Sequence, residues 1–162
     1  MEKIPFTAQG LEAIKEELAH LKGTERQAVI NAIAVAREHG DLSENAEYHA
    51  ARERQSFIEG RISELEAVTS RSEVIDASQL TGDKVTFGTS VGVADEETDE
   101  ESIFHIVGPY EADISKGLVS TSSPIARGLI GKGIGDSAEI HTPGGIKSYE
   151  IISIELFDMT KV

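Results

Sequence analysis

No proline interrupts the chain between Pro5 and Pro109, and from Thr7 to about Val74 the residues are mostly Ala, Glu, Leu, Ile, Arg and Gln. A stretch of good helix formers this long favours long helices over a sheet. Leu11, Ile14, Leu18 and Leu21 follow the alternating three-and-four spacing of a coiled-coil seam, flanked by Glu12, Lys15, Glu16 and Glu17. Thr7 suits the N-cap. After Leu21 the seam continues through Glu25, Val29, Ile33 and Ala36, a phase shift of the stutter kind that locally unwinds a supercoil. A second stripe, Ala51, Ile58, Ile62, Leu65 and Val68 or Thr69, supplies the matching face. Two helices of roughly 30 and 25 residues then form an antiparallel rod about 40 Å long. Gly23 and Gly60 are the two places where it could bend.

Beyond residue 76 the composition changes to Gly, Ser, Thr, Val and Ile, which divides the chain into a hairpin domain, 1–76, and a globular domain, 77–162, with 70–82 as an ordered linker. Short β-branched segments between turn signals predict strands at 84–87, 90–94, 103–107, 137–141 and 148–156. Asp95 to Glu101 is an acidic connection between two of them, and Pro143-Gly144-Gly145 suits a tight turn with positive φ after the proline. Ser123 and Pro124 read as the N-cap and first position of a short helix through Leu129 or Ile130. The expected fold class is α+β: an antiparallel two-helix coiled-coil hairpin followed by an antiparallel α+β domain.

Net charge is −14 and the pI is near 4.7. Both halves are acidic, with 9 basic against 15 acidic residues in 1–76 and 6 against 14 in 77–162. A field of this sign repels nucleic acid and anionic lipid at long range, so any nucleic-acid contact has to be local. The chain has no Cys, hence no disulfide and no thiolate metal site, and its charged N-terminus and lack of a long apolar run speak against a signal peptide or a membrane span. A cytoplasmic bacterial-type protein is the natural reading.

The point where the two helices reverse is acidic. Asp41 and Glu44 stand three apart, which fits a capping box opening the second helix. The same pair also offers hard oxygen donors of the kind Mg²⁺ takes, although two carboxylates make only half a site, to be completed by water, phosphate or another protein. Gly40 permits the reversal, and Leu42 is an exposed apolar residue unless the tip enters something. A zinc set of His39, Asp41, Glu44 and His49 fits no common ligand spacing. Gly131-Lys132-Gly133 lacks the Ser or Thr and the upstream Gly of a P-loop, and reads as a helix end and loop. Tyr48 and His49 suit a stacked ring and a surface histidine on the second helix.

Three separated segments carry a specific resemblance. Gly40-Asp41-Leu42-Ser43-Glu44-Asn45-Ala46-Glu47-Tyr48, the opening Pro5-Phe6-Thr7-Ala8-Gln9-Gly10 with Glu16-Glu17-Leu18, and Ser123-Pro124-Ile125-Ala126-Arg127-Gly128-Leu129-Ile130-Gly131-Lys132 are similar to the Gre family of bacterial transcript-cleavage elongation factors, closest to its GreA branch. The likeness runs over nearly the whole chain, without departure at the tip.

The resemblance implies an N-terminal coiled-coil hairpin that reaches into the secondary channel of RNA polymerase, and an FKBP-like C-terminal domain that docks at its mouth. It implies a cofactor of the polymerase's own cleavage of backtracked RNA, and so a monomeric factor that is not itself an enzyme. Asp41 and Glu44 match the family's acidic tip, which helps the polymerase hold a second, weakly bound Mg²⁺ and position the attacking water. Arg37 and Arg52 stand just behind the tip on opposite helices, where they could meet phosphates of the extruded RNA 3′ segment, or equally form ion pairs with Glu38, Glu53 or Glu59. Sparse arginine and strong acidity favour the GreA branch over GreB, hence very short cleavage products. Ser123 and Pro124 would belong to the polymerase-docking surface. Two other classes stay open: a channel-entering inhibitor of the same family, and an FKBP-like prolyl isomerase or chaperone, for which 5% aromatic residues and no Trp offer little to line a pocket.

Overall fold

The computed structural model describes residues 2–40, 45–76 and 82–158. The chain divides into two compact units, Leu11–Arg71 and Met1–Gly10 with Ser72–Val162. The first ten residues thus group with the globular part, unlike the expected division at residue 76.

Within Leu11–Arg71, the first helical stretch is continuous in helical backbone from α1 (Ala8–His20) through a π turn at Leu21–Glu25 into α2 (Arg26–Arg37), and α3 (Ala46–Ser70) returns. Both lengths match the expected 30 and 25 residues. The ion pairs Glu17–Arg61, Glu25–Arg54 and Arg26–Glu59 join early positions of one arm to late positions of the other, so the arms are antiparallel. Val29, Ile58 and Ile62 form the hairpin core, with Leu18 and Leu21 packed against it. Val68, not Thr69, is the buried end of the second stripe. The phase shift after Leu21 is taken up by the π turn: five residues in a wider turn carry the seam from Leu21 to Val29 without twisting it off the partner helix. Gly23 sits inside that turn, whereas Gly60 lies in uninterrupted α-helix.

In the other unit, β1 (Ile4–Phe6) pairs in parallel with β2 (Ser72–Val74), and Ile75 donates to the Phe6 carbonyl at 3.0 Å. This pairing is what places the N-terminus with the globular part. Phe6 is fully buried and stacks on Tyr110 at 6.3 Å. Thr7 caps α1 as expected, its Oγ1 accepting from Gly10 N at 3.0 Å. Glu111 braces the cap, accepting from Thr7 N at 2.6 Å and from Thr7 Oγ1 at 3.1 Å. Its side chain occupies the space a Cβ at position 10 would need, so a larger residue there would have to displace Glu111 from the cap.

The main sheet has five strands in the order β5-β4-β3-β7-β6: β3 (Thr89–Asp95), β4 (Glu101–Val107), β5 (Leu118–Ser120), β6 (Ser137–Thr142) and β7 (Gly145–Leu156). All neighbours are antiparallel except β4 and β5. The expected all-antiparallel arrangement is therefore corrected at one edge, where residues 108–117, with a 3₁₀ turn at Ile114–Lys116, carry the chain back to run beside β4 in the same direction. The unit remains α+β. Helix α4 (Pro124–Leu129) covers one face, its Ala126 and Leu129 joining Val91, Val93, Ile106 and Ile151 in the core.

Lys84–Phe87 is not a strand. Val85 is buried as a strand residue would be, but its backbone exchanges hydrogen bonds with the loop after α4, donating to Lys132 O and accepting from Gly131 N, both at 2.9 Å. Gly131, at φ +90°, gives that loop its turn. In the β6–β7 hairpin the positive φ falls at Gly145 rather than directly after Pro143.

Candidate functional site

Helix α2 ends in a tightened turn, with Glu38, His39 and Gly40 donating to the carbonyls of Val35, Ala36 and Arg37 at 3.1, 3.2 and 3.3 Å. Gly40 stands at φ +98°, a conformation that favours glycine. On the other side α3 opens at Asn45, whose extended backbone and side-chain oxygen, accepting from Tyr48 N at 3.0 Å, make it the N-cap. The same side chain donates from Nδ2 to the Ala36 carbonyl at 2.5 Å, tying the start of α3 to the end of α2.

Asp41 and Glu44, expected as either a capping box or half a metal site, lie outside the described residues. The N-cap of α3 is Asn45 and its N3 residue is Tyr48, so these two positions of the described helix are held by residues other than the expected Asp41 and Glu44. As donors, two carboxylates suit a hard cation such as Mg²⁺ but are too few to hold it alone. Among the described residues no group of three or more His, Cys, Asp or Glu is placed to hold a metal ion. His39 and His49 of the rejected zinc set have other neighbours: His39 Nε2 lies 3.3 Å from Glu47 Oε2, and the His49 ring packs edge-on against Tyr48 at 5.6 Å.

Arg37 and Arg52 do face the same side. They line an open groove of about 450 Å³ between α2 and α3 with Ile30, Ile33, Ala34 and Gln55. The Arg37 guanidinium sits over the Tyr48 ring, 5.9 Å from its centroid, and Arg52 donates to Gln55 at 3.2 Å. Neither takes part in an ion pair among the described residues, and Glu59, expected as a possible partner, is held in a two-bond pair by Arg26 at 2.8 Å. That pair draws the Glu59 carboxyl below its ordinary value, as hydrogen bonds from Arg54 and His20 do for Glu25.

On the globular unit Ser123 caps α4, accepting from Ala126 N at 3.2 Å, with Pro124 at the first helical position. Both line an apolar groove of about 370 Å³ with Ile114, Leu118, Ile125 and Pro143. No Phe, Tyr or Trp contributes to its described lining, which leaves it without the aromatic walls sought for a prolyl isomerase.

Sequence reasoning missed Asn45, Glu111 and the groove floor. Asn45 follows the acidic pair directly and is itself a favoured N-cap type, a signal available but outweighed by the three-residue spacing of Asp41 and Glu44. Glu111 has no local signal, because its partner Thr7 is 104 positions away.

The family model for the transcription elongation factor N-terminal domain matches residues 4–74, and that for the GreA/GreB C-terminal domain matches residues 80–156. The chain belongs to the GreA/GreB family of transcription elongation factors. The first match begins with β1 and ends with β2, so the family's N-terminal region includes the parallel strand pair that flanks the hairpin in sequence. Transcription elongation factor GreA of Ruegeria pomeroyi is 63% identical over 155 residues, covering 96% of this chain and 99% of the relative. The GreA proteins of Rhodospirillum rubrum and of a Caulobacter species are 60% identical over 154 residues and 57% over 155, covering 95% and 96% of this chain and 98% and 99% of theirs. Within the family the chain is thus of GreA type, and no described helix is long and apolar enough to cross a membrane.

Proposed function

We propose that this chain is a cytoplasmic, monomeric cofactor of bacterial RNA polymerase that stimulates the polymerase's own cleavage of backtracked RNA, releasing short 3′ fragments and rescuing arrested complexes, with no cleavage activity of its own. The hairpin enters the secondary channel, and the groove beside Ser123 and Pro124 contributes to docking at its mouth. Asp41 and Glu44 supply two oxygen ligands and orient the attacking water. Mg²⁺, held jointly with the polymerase, would supply charge neutralisation at the scissile phosphate. A tip that carries only part of a metal site depends on anchoring elsewhere to raise its effective concentration, which gives the separate globular unit its purpose.

The observation that carries this reading is the N-cap of α3 at Asn45. A dedicated cap satisfies the helix, so the acidic pair ahead of it is not needed for that structural task. The arginines on one groove behind the tip agree with RNA passing along that side.

The test uses a backtracked polymerase complex with labelled RNA and Mg²⁺, comparing the parent with Asp41→Ala, Glu44→Ala and the double variant. The parent should release short 3′ fragments, and the variants should bind the polymerase normally without stimulating release. Undiminished cleavage by the variants would remove the role of the pair. Slower elongation with no release by the parent would instead favour a channel-entering inhibitor.

A further inference from the structure

Four residues, 41–44, separate Gly40, after the last turn of α2, from Asn45, the N-cap of α3, with Asp41 first among them and Glu44 last. Each residue of the pair is therefore one peptide bond from a neighbour that is held in place. Gly40 donates to the Arg37 carbonyl at 3.3 Å, and Asn45 accepts from Tyr48 N at 3.0 Å. With so short a stretch between them, the position of one flank relative to the other limits where the two carboxylates can go.

Asn45 does more than a cap requires. Capping needs one side-chain acceptor, which Ser, Thr or Asp supplies as well. The amide of Asn45 also has a donor, and Nδ2 gives it to the Ala36 carbonyl nine positions back on the other arm, at 2.5 Å and partly buried. That carbonyl already accepts from His39 N at 3.2 Å, so neither helix needs the bond for its own termination. Its effect is to fix the start of α3 against the end of α2. The other printed contact across this junction, His39 Nε2 to Glu47 Oε2 at 3.3 Å, joins two side chains that are each more than half exposed, where such a pair is worth little.

We propose that Asn45 is a positioning residue for the acidic pair: its amide nitrogen, bound to the Ala36 carbonyl, sets the separation of the two arm ends and thereby the placement of Asp41 and Glu44 toward a shared cation. The inference rests on the function proposed above and adds a residue that acts only through the pair. Mg²⁺ demands near-octahedral geometry at short distance, so two donors brought to it on one loop are sensitive to the span of that loop. Small misplacements of a reacting group cost rate steeply, which gives a single remote hydrogen bond a measurable effect on cleavage.

The experiment compares the parent with Asn45→Ser, which keeps the capping acceptor and loses the amide donor, and with Ile62→Val, which trims the buried hairpin core away from the junction. Circular dichroism first establishes that each variant keeps its helices. In a backtracked polymerase complex at saturating factor, Asn45→Ser should raise the Mg²⁺ concentration for half-maximal cleavage roughly three- to tenfold while its half-saturating factor concentration stays at the parent's. Ile62→Val should leave both where the parent has them. On the free protein, which has no Cys of its own, Glu38→Cys and Ala46→Cys carry a nitroxide pair whose distance distribution reports the separation of the arm ends. It should be narrow in the parent and in Ile62→Val and wider in Asn45→Ser. Parent-like Mg²⁺ dependence of Asn45→Ser overturns the proposal, as does an equal shift by Ile62→Val, which would make the effect one of hairpin stability alone. If the parent stimulates no cleavage, the functional reading fails separately. The nitroxide distances still decide the clamp, a wider distribution in Asn45→Ser upholding it and an unchanged one overturning it.

Discussion

Asn45 uses both ends of its amide, the oxygen to cap α3 and the nitrogen to hold the last turn of α2. Asn45→Ala should therefore destabilise the hairpin by about 1 kcal/mol or somewhat more, in the range of lost caps. Asn45→Ser should recover the cap but not the bond to Ala36. Urea unfolding followed by helical dichroism measures both, and an Ala variant as stable as the parent would contradict the bridging role. At Glu111, burial pushes the carboxyl above its ordinary value, against the opposing hydrogen bonds from Thr7 and Gly108. A raised value in the folded state means that the native protein binds the proton more tightly. The associated stability is complete below the ordinary Glu range and is lost as pH rises through the raised value. The parent should accordingly lose stability relative to Glu111→Gln across that window as pH rises. A pH-independent difference between the two proteins would remove burial as the governing cause. Neither residue's partner could be read from sequence: Asn45 stood in the shadow of a better-spaced acidic pair, and Glu111 meets its partner only through the fold.

At the scale of elements, long periodic segments were legible and short ones were not. Heptad spacing marks both hairpin arms because each repeats its apolar stripe over many turns, and the shift after Leu21 located the irregularity that the structure resolves as a π turn. β1, β2 and β5 have three residues each, too few for a period to show, and their pairing depends on partners far away in the chain. Val85 shows the converse. Its β-branched neighbourhood reads as a strand, yet its hydrogen bonds go to the loop at Gly131 and Lys132. If the π turn absorbs one extra residue, deleting Gly23 should leave residues 8–37 a plain α-helix with the three-and-four seam restored, and hairpin stability should be kept or raised. Deleting Ala32 should instead rotate Ile33 and Ala36 by about 100° relative to the preceding seam and lower the urea midpoint. Equal damage from the two deletions would contradict this account of the seam.

For the whole molecule, acidity and function are reconciled by local arrangement. A net charge of −14 repels nucleic acid at a distance, while Arg37 and Arg52, neither ion-paired among the described residues, would under the proposed function confine RNA contact to a small part of the surface. Family membership and the α+β class were within reach of the sequence because the characteristic segments are contiguous. The groove floor was not, since Ile30 and Ala34 look like ordinary helix residues until α3 is set beside them. The central claim is that Asp41 and Glu44 add oxygen ligands to a metal the polymerase holds weakly. Its most direct test is a Mg²⁺ titration of RNA cleavage in a backtracked complex, made without the factor, with the parent, and with the Asp41→Ala, Glu44→Ala double variant. The parent should lower the Mg²⁺ concentration giving half-maximal cleavage, and the double variant should leave it where the polymerase alone has it. An equal lowering by parent and variant would contradict the claim.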